Sequence, residues 1–359
     1  MLRVLALSSV LLASCQASLP VKTADSLPPS SLLFPGEERH LQNVRQLTFG
    51  GQNAEAYFSS DGQWLIFQST REGHPCDEEF RVRIDGTGLE KVSTGQGRVT
   101  CGFLLSSQAG KSPEKAIFSS THDFGDACPP HPDQSRGYVW PIYSSFEIYE
   151  RDLASGKLNR LTKNNFYDAE ATVSDDQKEI VFTSTRDGDL DLYLMKSNGK
   201  KIRRVTRDLG YDGGAFFSHD GKRLIYRAFH PETPEEKAEY VSNLKRGAYK
   251  PSWLELFVID KNGKNKQQIT HLKGASFAPY LFPSDKRVIF ASNYKNPRGR
   301  QFDLYAIDLD GKNLEQITFS GTFDSFPIFS PDGKKIAWAS NRNGKKPHET
   351  NIFIADWIE

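Results

Sequence analysis

Long apolar runs are nearly absent from this 359-residue chain. The clearest one, residues 4–12, is too short to span a bilayer as a finished helix, and the remainder reads as soluble. Charge of one sign is lacking as well. There are 46 basic and 45 acidic residues, a net charge of +1, so no global field attracts nucleic acid. Methionine is scarce at 2 residues while aromatics reach 12%, as expected of a packed sheet protein. No nucleophile elbow, metalloprotease helix or phosphate-binding loop is present.

What the chain does contain is one phrase in six copies. Phe58-Ser59-Ser60-Asp61-Gly62-Gln63 precedes Trp64-Leu65-Ile66-Phe67-Gln68-Ser69-Thr70-Arg71, and Phe329-Ser330-Pro331-Asp332-Gly333-Lys334 precedes Lys335-Ile336-Ala337-Trp338-Ala339-Ser340-Asn341-Arg342. Further copies start at Val173, Phe217 and Leu281, and a worn one at Phe103. Each holds an Asp-Gly-type turn, a β-branched run, an acidic or amide residue opening an alternating strand (Asp191, Asp303, Asn351), and a short closing strand. Turns of this kind between such runs predict antiparallel hairpins. Four strands in roughly 45 residues is the period of a propeller blade.

Thr48, Ser93, Thr162, Thr206, Thr270 and Thr318 end the closing strands and count six blades. The chain enters on a closing-type strand, Val44-Arg45-Gln46-Leu47-Thr48, and finishes on a third strand from Asn351. The fold class is therefore all-β: a six-bladed β-propeller whose N-terminal strand completes the last blade and removes an open edge. Over residues 41–359 the repeats resemble the TolB-type propeller repeats of bacterial envelope proteins. TolB carries a separate α/β domain ahead of its propeller. The short stretch between Cys15 and the first strand leaves no room for it, so the chain is expected to be a stand-alone TolB-like propeller.

The N-terminus reads as a processing signal. Arg3 supplies a positive charge, and Leu12-Ala13-Ser14-Cys15 resembles a bacterial lipobox. The expected plan is a signal peptide at 1–14, lipidation of Cys15, a tether at 15–40 and the propeller at 41–359. By resemblance to lipoprotein sorting, Gln16 after the cysteine favours an outer-membrane lipoprotein facing the periplasm. The membrane is touched only through that anchor.

Two insertions break the pattern, residues 121–145 in blade 2 and 229–253 in blade 4. Both fall between second and third strands and should stand on one face, around the channel mouth. The blade 4 insertion should be helical. Thr233 caps, Pro234 takes the first position, Glu236 completes a capping box, and Gly247 ends the helix. Ala238, Val241 and Leu244 form its expected packing stripe. The blade 2 insertion brings His122, Tyr138 and Trp140, suited to a sugar, peptide or protein, or to packing the loop down. Cys76, Cys101 and Cys128 should converge nearby. Two of them form a disulfide in an oxidising compartment, with the pairing open. His74, His122 and His131 would be needed to make a metal site instead, and their spacing is poor for one.

Aligned channel positions give Asn53, Arg98, Asp168, Asp212, Ser276 and Asp324, and two residues on, the acids Glu55 and Glu170. Glu55, Arg98, Asp168, Glu170, Asp212 and Asp324 are expected to ring the mouth and hold a polar ligand, a basic side chain or a cation such as calcium. No cofactor is expected otherwise. Arg71, Arg186 and Arg342 recur, so they read as braces through carboxylates such as Asp168. The expected function is a non-catalytic, monomeric periplasmic binding module. It would grip an envelope protein or a peptidoglycan-associated partner through its insertion-bearing face. The alternative is a glycan- or peptide-processing enzyme with an acidic channel site.

Overall fold

A computed structural model describes residues 32–359 apart from 72, 74, 109, 136 and 252. The signal sequence, Cys15 and Gln16 lie outside the described residues, as does His74. Six four-stranded antiparallel sheets form a closed ring. Blade 3 shows the unit: Asp168–Val173 innermost, then Glu179–Ser184, Asp191–Lys196 and Arg203–Arg204 at the rim.

The recurring phrase has a local cause. The hydroxyls of Ser59, Ser174, Ser218 and Ser330 accept the backbone N–H of Trp64, Glu179, Arg223 and Lys335 at 2.9–3.0 Å. This closes the turn from first to second strand. Gly62, Gly221 and Gly333 take φ of 67, 65 and 69° there, a region that glycine enters without steric cost.

The closing hydroxyls have a second job. Thr48, Ser93, Thr162, Thr206, Thr270 and Thr318 accept the N–H of Ile352, Glu79, Ile148, Leu192, Leu256 and Leu304 at 2.8–2.9 Å. Each ties a fourth strand of few residues to its third strand. Each blade is joined to the preceding one by a backbone bond from the first residues of its inner strand, and at three junctions a reciprocal bond is added, from Thr350, Leu254 and Phe302 to the carbonyls of Gly51, Gly274 and Thr322. Asn53, Val99, Asp168, Asp212, Ser276 and Asp324 donate to Thr350, Asp77, Phe146, Leu190, Leu254 and Phe302 at 2.9–3.1 Å.

Neighbouring blades bury both faces of each sheet, so the second and third strands read as continuous apolar runs. Ile180, Val181, Phe182 and Leu192 are all fully buried. Residues Leu41–Gln46 pair antiparallel with Asn351–Trp357 and complete blade 6. The described end of the segment read as tether is not loose. Leu32 and Glu37 are buried, and Glu37 meets the guanidinium of Arg342 at 2.9 Å. The folded unit therefore includes residues 32–40, which give Arg342 a second buried carboxylate beside Asp324.

Helix α1, Pro234–Lys245, carries the capping box of Thr233 and Glu236. Its buried residues are Tyr240 and Asn243, with Val241 and Leu244 partly covered and Ala238 exposed. The stripe is thus rotated from the expected one. Tyr240 sets it, because its hydroxyl donates to Asp189 and, at 2.7 Å, to the Gly210 carbonyl.

Candidate functional site

The two insertions emerge on the same face and join. Trp140–Pro141 pairs antiparallel with Ala248–Tyr249, making a two-stranded bridge outside the six blades. Beneath it Tyr249 stacks on Tyr211 at 4.3 Å between ring centroids. Trp140 meets Tyr211 edge-on at 6.0 Å and lies 5.0 Å from the Arg227 guanidinium. A Cys76–Cys128 disulfide pins the blade 2 insertion to blade 1. Of the three pairings left open by sequence, this is the one formed, and Cys101 is free and buried. With two of its thiols joined, the set considered for a metal is not available.

Below the bridge lies the axis. All six inner strands slip register by a bulge, for example between Ala54 and Tyr57 and between Ala169 and Thr172. The bulged residues are Glu55, Cys101, Glu170, Gly214, Ala278 and Phe326, with φ of 51–55°. A bulge re-aims a side chain, and here these side chains meet across blade boundaries. The Cys101 thiol donates to Glu55 at 2.9 Å. Burial pushes both the Glu55 carboxyl and the Cys101 thiol upward, so the thiol stays protonated and able to donate.

Glu170 is engaged from several sides. It accepts from Thr183 at 2.6 Å, from Tyr211 at 2.8 Å and from the Gly214 N–H at 3.0 Å, and it pairs with Arg227. The axis is lopsided in consequence: polar and charged through blades 1 to 4, apolar at Ala278 and Phe326.

The other expected ring members stand elsewhere. Asp168 is fully buried and held by both the Ser184 hydroxyl and the Arg186 guanidinium, the latter at 2.9 Å to each oxygen. Asp324 is held by Arg342 at 3.1 Å and by the Trp338 indole at 3.2 Å, and Asp212 by His230 at 2.9 Å. These carboxylates are braces within their blades. Arg98 is not their counterpart. The interblade bonds put Val99 in that register, with Arg98 one residue earlier and paired to Asp77. One residue inverts the facing of a strand side chain.

His122 hydrogen-bonds Ser120 at 2.8 Å and packs on Tyr149 at 4.3 Å, and burial lowers its pKa. It fills in blade 2 the place of Arg186, which lies 4.8 Å from the Tyr193 ring in blade 3. Trp140 is partly buried in the bridge, whereas Tyr138 is 66% exposed.

Sequence reading missed Arg227, Tyr211 and Tyr249. A signal for the first was present. Arg227 stands where other blades place Gln68, Thr183, Ala291 or Ala339, and Gly213-Gly214 lie opposite. A Cβ on Gly214 would strike the Arg227 guanidinium, and one on Gly213 would strike the Glu170 carboxylate and Tyr211 hydroxyl. The twin glycines make the room that this cluster occupies.

The outer surface of this face is distinctive. Among the described residues the exposed Phe, Tyr and Trp side chains are Phe49, Phe124, Tyr138, Phe166, Trp253 and Phe319. Every one lies in a connection between blades or between second and third strands, which open on the insertion-bearing face. The remaining exposed large hydrophobics are Leu89, Leu209, Ile202 and Leu314; of these only Leu209 shares that face.

No protein-family model and no curated protein matches the sequence. Solved structures do. A TolB candidate from Agrobacterium tumefaciens is 18% identical with a TM-score of 0.55, over 86% of this chain and 91% of that one. TolB from Acinetobacter baumannii is 17% identical with a TM-score of 0.52; the match covers 87% of this chain and only 65% of that one. A gluconolactonase from Xanthomonas campestris is 13% identical with a TM-score of 0.57, over 93% and 96%. What these proteins share with the chain is the scaffold: it is a TolB-like six-bladed β-propeller.

Proposed function

We propose that this protein is a non-catalytic binding module of the bacterial envelope, docking a protein or peptidoglycan-associated partner on its insertion-bearing face. One observation carries the reading: the exposed aromatic side chains of the described residues all lie on that face. Aromatic surface of this kind supplies anchors for partners. The paired insertions and the disulfide hold it on a preorganised platform, which lowers the ordering cost of docking. In this reading the lipobox delivers the chain to the periplasm and Cys15 anchors it to the outer membrane.

The gluconolactonase likeness keeps an enzymatic alternative in view, a glycan- or peptide-processing site at the axis. The axial chemistry supports it poorly. Glu170 is occupied by Arg227 and by hydroxyl and N–H donors, and Trp140 and Tyr249 cover the cluster from above. Fold alone supplies no activity.

The test is capture from envelope extracts by the native protein and by a variant with the blade 2 insertion shortened. A partner held by the first and lost by the second supports docking on this face. Equal capture by both contradicts it. Turnover of glycans or peptides abolished by Glu170→Gln would favour the alternative.

A further inference from the structure

Blade 5 departs from its siblings where the third strand begins. That position holds Glu78, Glu147, Asp191, Glu255, Asp303 and Asn351 in blades 1 to 6. In blades 2 and 3 an arginine on the fourth strand neutralises it: Arg160 reaches Glu147 at 2.8 Å, and Arg204 reaches Asp191 at 2.6 Å. In blade 4 Glu255 is satisfied by the Thr270 hydroxyl at 2.6 Å and by the N–H groups of Leu272 and Lys273 at 3.1 and 2.8 Å. Blade 5 has Gln316 in place of the arginine. Asp303 is only 5% exposed; Gln301 hydrogen-bonds it and the Lys295 ammonium lies near, but it makes no direct ion pair among the described residues and its Oδ1 has no hydrogen-bond partner.

A cavity of about 290 Å³ opens at this point, lined by Asp303, Asn293, Gln301, Tyr305, Gln316 and Phe319 among others. The sibling blades show what fits there. The Arg160 guanidinium lies 5.6 Å from the Phe124 ring and 6.0 Å from Tyr149, the blade 2 equivalent of Tyr305. Blade 5 keeps the buried acid and the third-strand tyrosine, and lines the cavity with Phe319 from the connection to blade 6, but supplies no guanidinium from its own fourth strand. A carboxylate buried without a cation is costly, and a bidentate guanidinium is the group best shaped to relieve it.

We propose that the blade 5 cavity binds a guanidinium group carried by a ligand, with Asp303 as its anionic partner and Tyr305 and Phe319 as its walls. Burial pushes the Asp303 carboxyl up to about 6, which leaves it mainly ionised at neutral pH. Lys295 stands at the rim, its ammonium donating to the Gln316 side-chain amide oxygen and lying 5.9 Å from the Tyr305 ring. It is a tethered competitor for the same space. The site is independent of the docking reading, and either can fail without the other.

The experiment is an NMR titration of the purified protein with ethylguanidinium, with ethylurea as its neutral counterpart. Ethylguanidinium should bind about tenfold or more tightly than ethylurea, the value of one charge-assisted contact. Asp303→Asn should abolish that preference, while Asp310→Asn, on the exposed loop of the same blade, leaves it intact. Should Asp303→Asn fail to fold, Lys295→Met gives a second readout and should tighten ethylguanidinium binding. A capped Gly-Arg-Gly peptide separates the sources: binding at least as tight as the fragment assigns the site to polypeptide arginine, and exclusion of the peptide assigns it to a free small molecule. Equal binding of ethylurea, a preference that survives Asp303→Asn, or binding unchanged by Lys295→Met would overturn the proposal.

Discussion

Arg342 shows how one residue type does different work at one repeated position. Arg71, Arg186 and Arg342 each lie against the aromatic of the third strand: 5.6 Å from Phe80, 4.8 Å from Tyr193 and 5.7 Å from Phe353. Their recurrence was legible, and so was the brace to Asp168. Glu37 as a second partner of Arg342 was not, since it lies 305 positions away and outside the repeat. Arg342 is 1% exposed at its side chain, between two fully buried carboxylates. Arg342→Ala should therefore cost about 3–5 kcal/mol, because it strands buried charge. Urea denaturation checks this, and a loss below about 1 kcal/mol would contradict it.

Glu79 gives a prediction of opposite sign. It is fully buried, no side chain hydrogen-bonds either carboxylate oxygen, and burial, followed by the nearby Glu55, pushes its pKa well up against the lowering effect of the Gly102 N–H. The folded state then holds the proton more tightly than the unfolded chain. Stability on this account falls as pH rises above the ordinary carboxylate value of about 4.3. Glu79→Gln removes that part of the decline. The variant should match the native protein near pH 4 and exceed it near pH 7, read from denaturation midpoints at both values. A less stable variant at neutral pH would show that Glu79 is ionised and satisfied.

At the scale of elements, hairpins were legible because their turn chemistry is local: Ser59, Asp61 and Gly62 suffice. The helix was legible for the same reason, since its capping box spans Thr233 to Glu236. The bridge between Trp140–Pro141 and Ala248–Tyr249 was not. Two-residue strands carry no periodicity, and their pairing joins insertions about a hundred residues apart that no local signal relates. The slip of Arg98 against Val99 has a similar origin: the turn between first and second strands of the worn blade 2 copy, residues 106–114, is longer than the one at 59–63 in blade 1, so spacing from the turn no longer fixes register.

The disulfide is the covalent element of this platform, its cysteines 52 positions apart in the sequence. Loss of such a link costs about 2–4 kcal/mol. Reduction, or Cys76→Ser with Cys128→Ser, should lower stability in that range and expose residues 121–145 to limited proteolysis while the blades remain folded. Cleavage distributed over all blades, or none in the insertion, would contradict the assignment of the disulfide as a local pin.

For the molecule as a whole, closure comes from the N-terminal strand. Leu41–Gln46 covers the edge of Asn351–Trp357, and Glu37 adds its ion pair from the segment just before it. A chain starting after residue 47 would leave an unpaired third strand and strip Arg342 of Glu37, one of its two carboxylate partners. It should aggregate or elute as oligomers in size-exclusion chromatography; a stable monomer would show that closure lies elsewhere. The ring itself was legible from six closing hydroxyls and a fourth-strand motif at the start of the chain. Its functional face was only half legible. Sequence placed both insertions on one side, but the pairing that makes them a platform depends on the curvature of the ring.

The account rests most heavily on that face, and the direct measurement compares the two ends of the propeller. Binding of the envelope partner captured by the native protein would be measured for Phe124→Ser/Tyr138→Ser/Trp253→Ser and for Leu89→Ser/Ile202→Ser/Leu314→Ser. The account predicts at least a tenfold loss for the first, about 1.4 kcal/mol, and no change for the second. Loss confined to the second, or full binding by both, would contradict it.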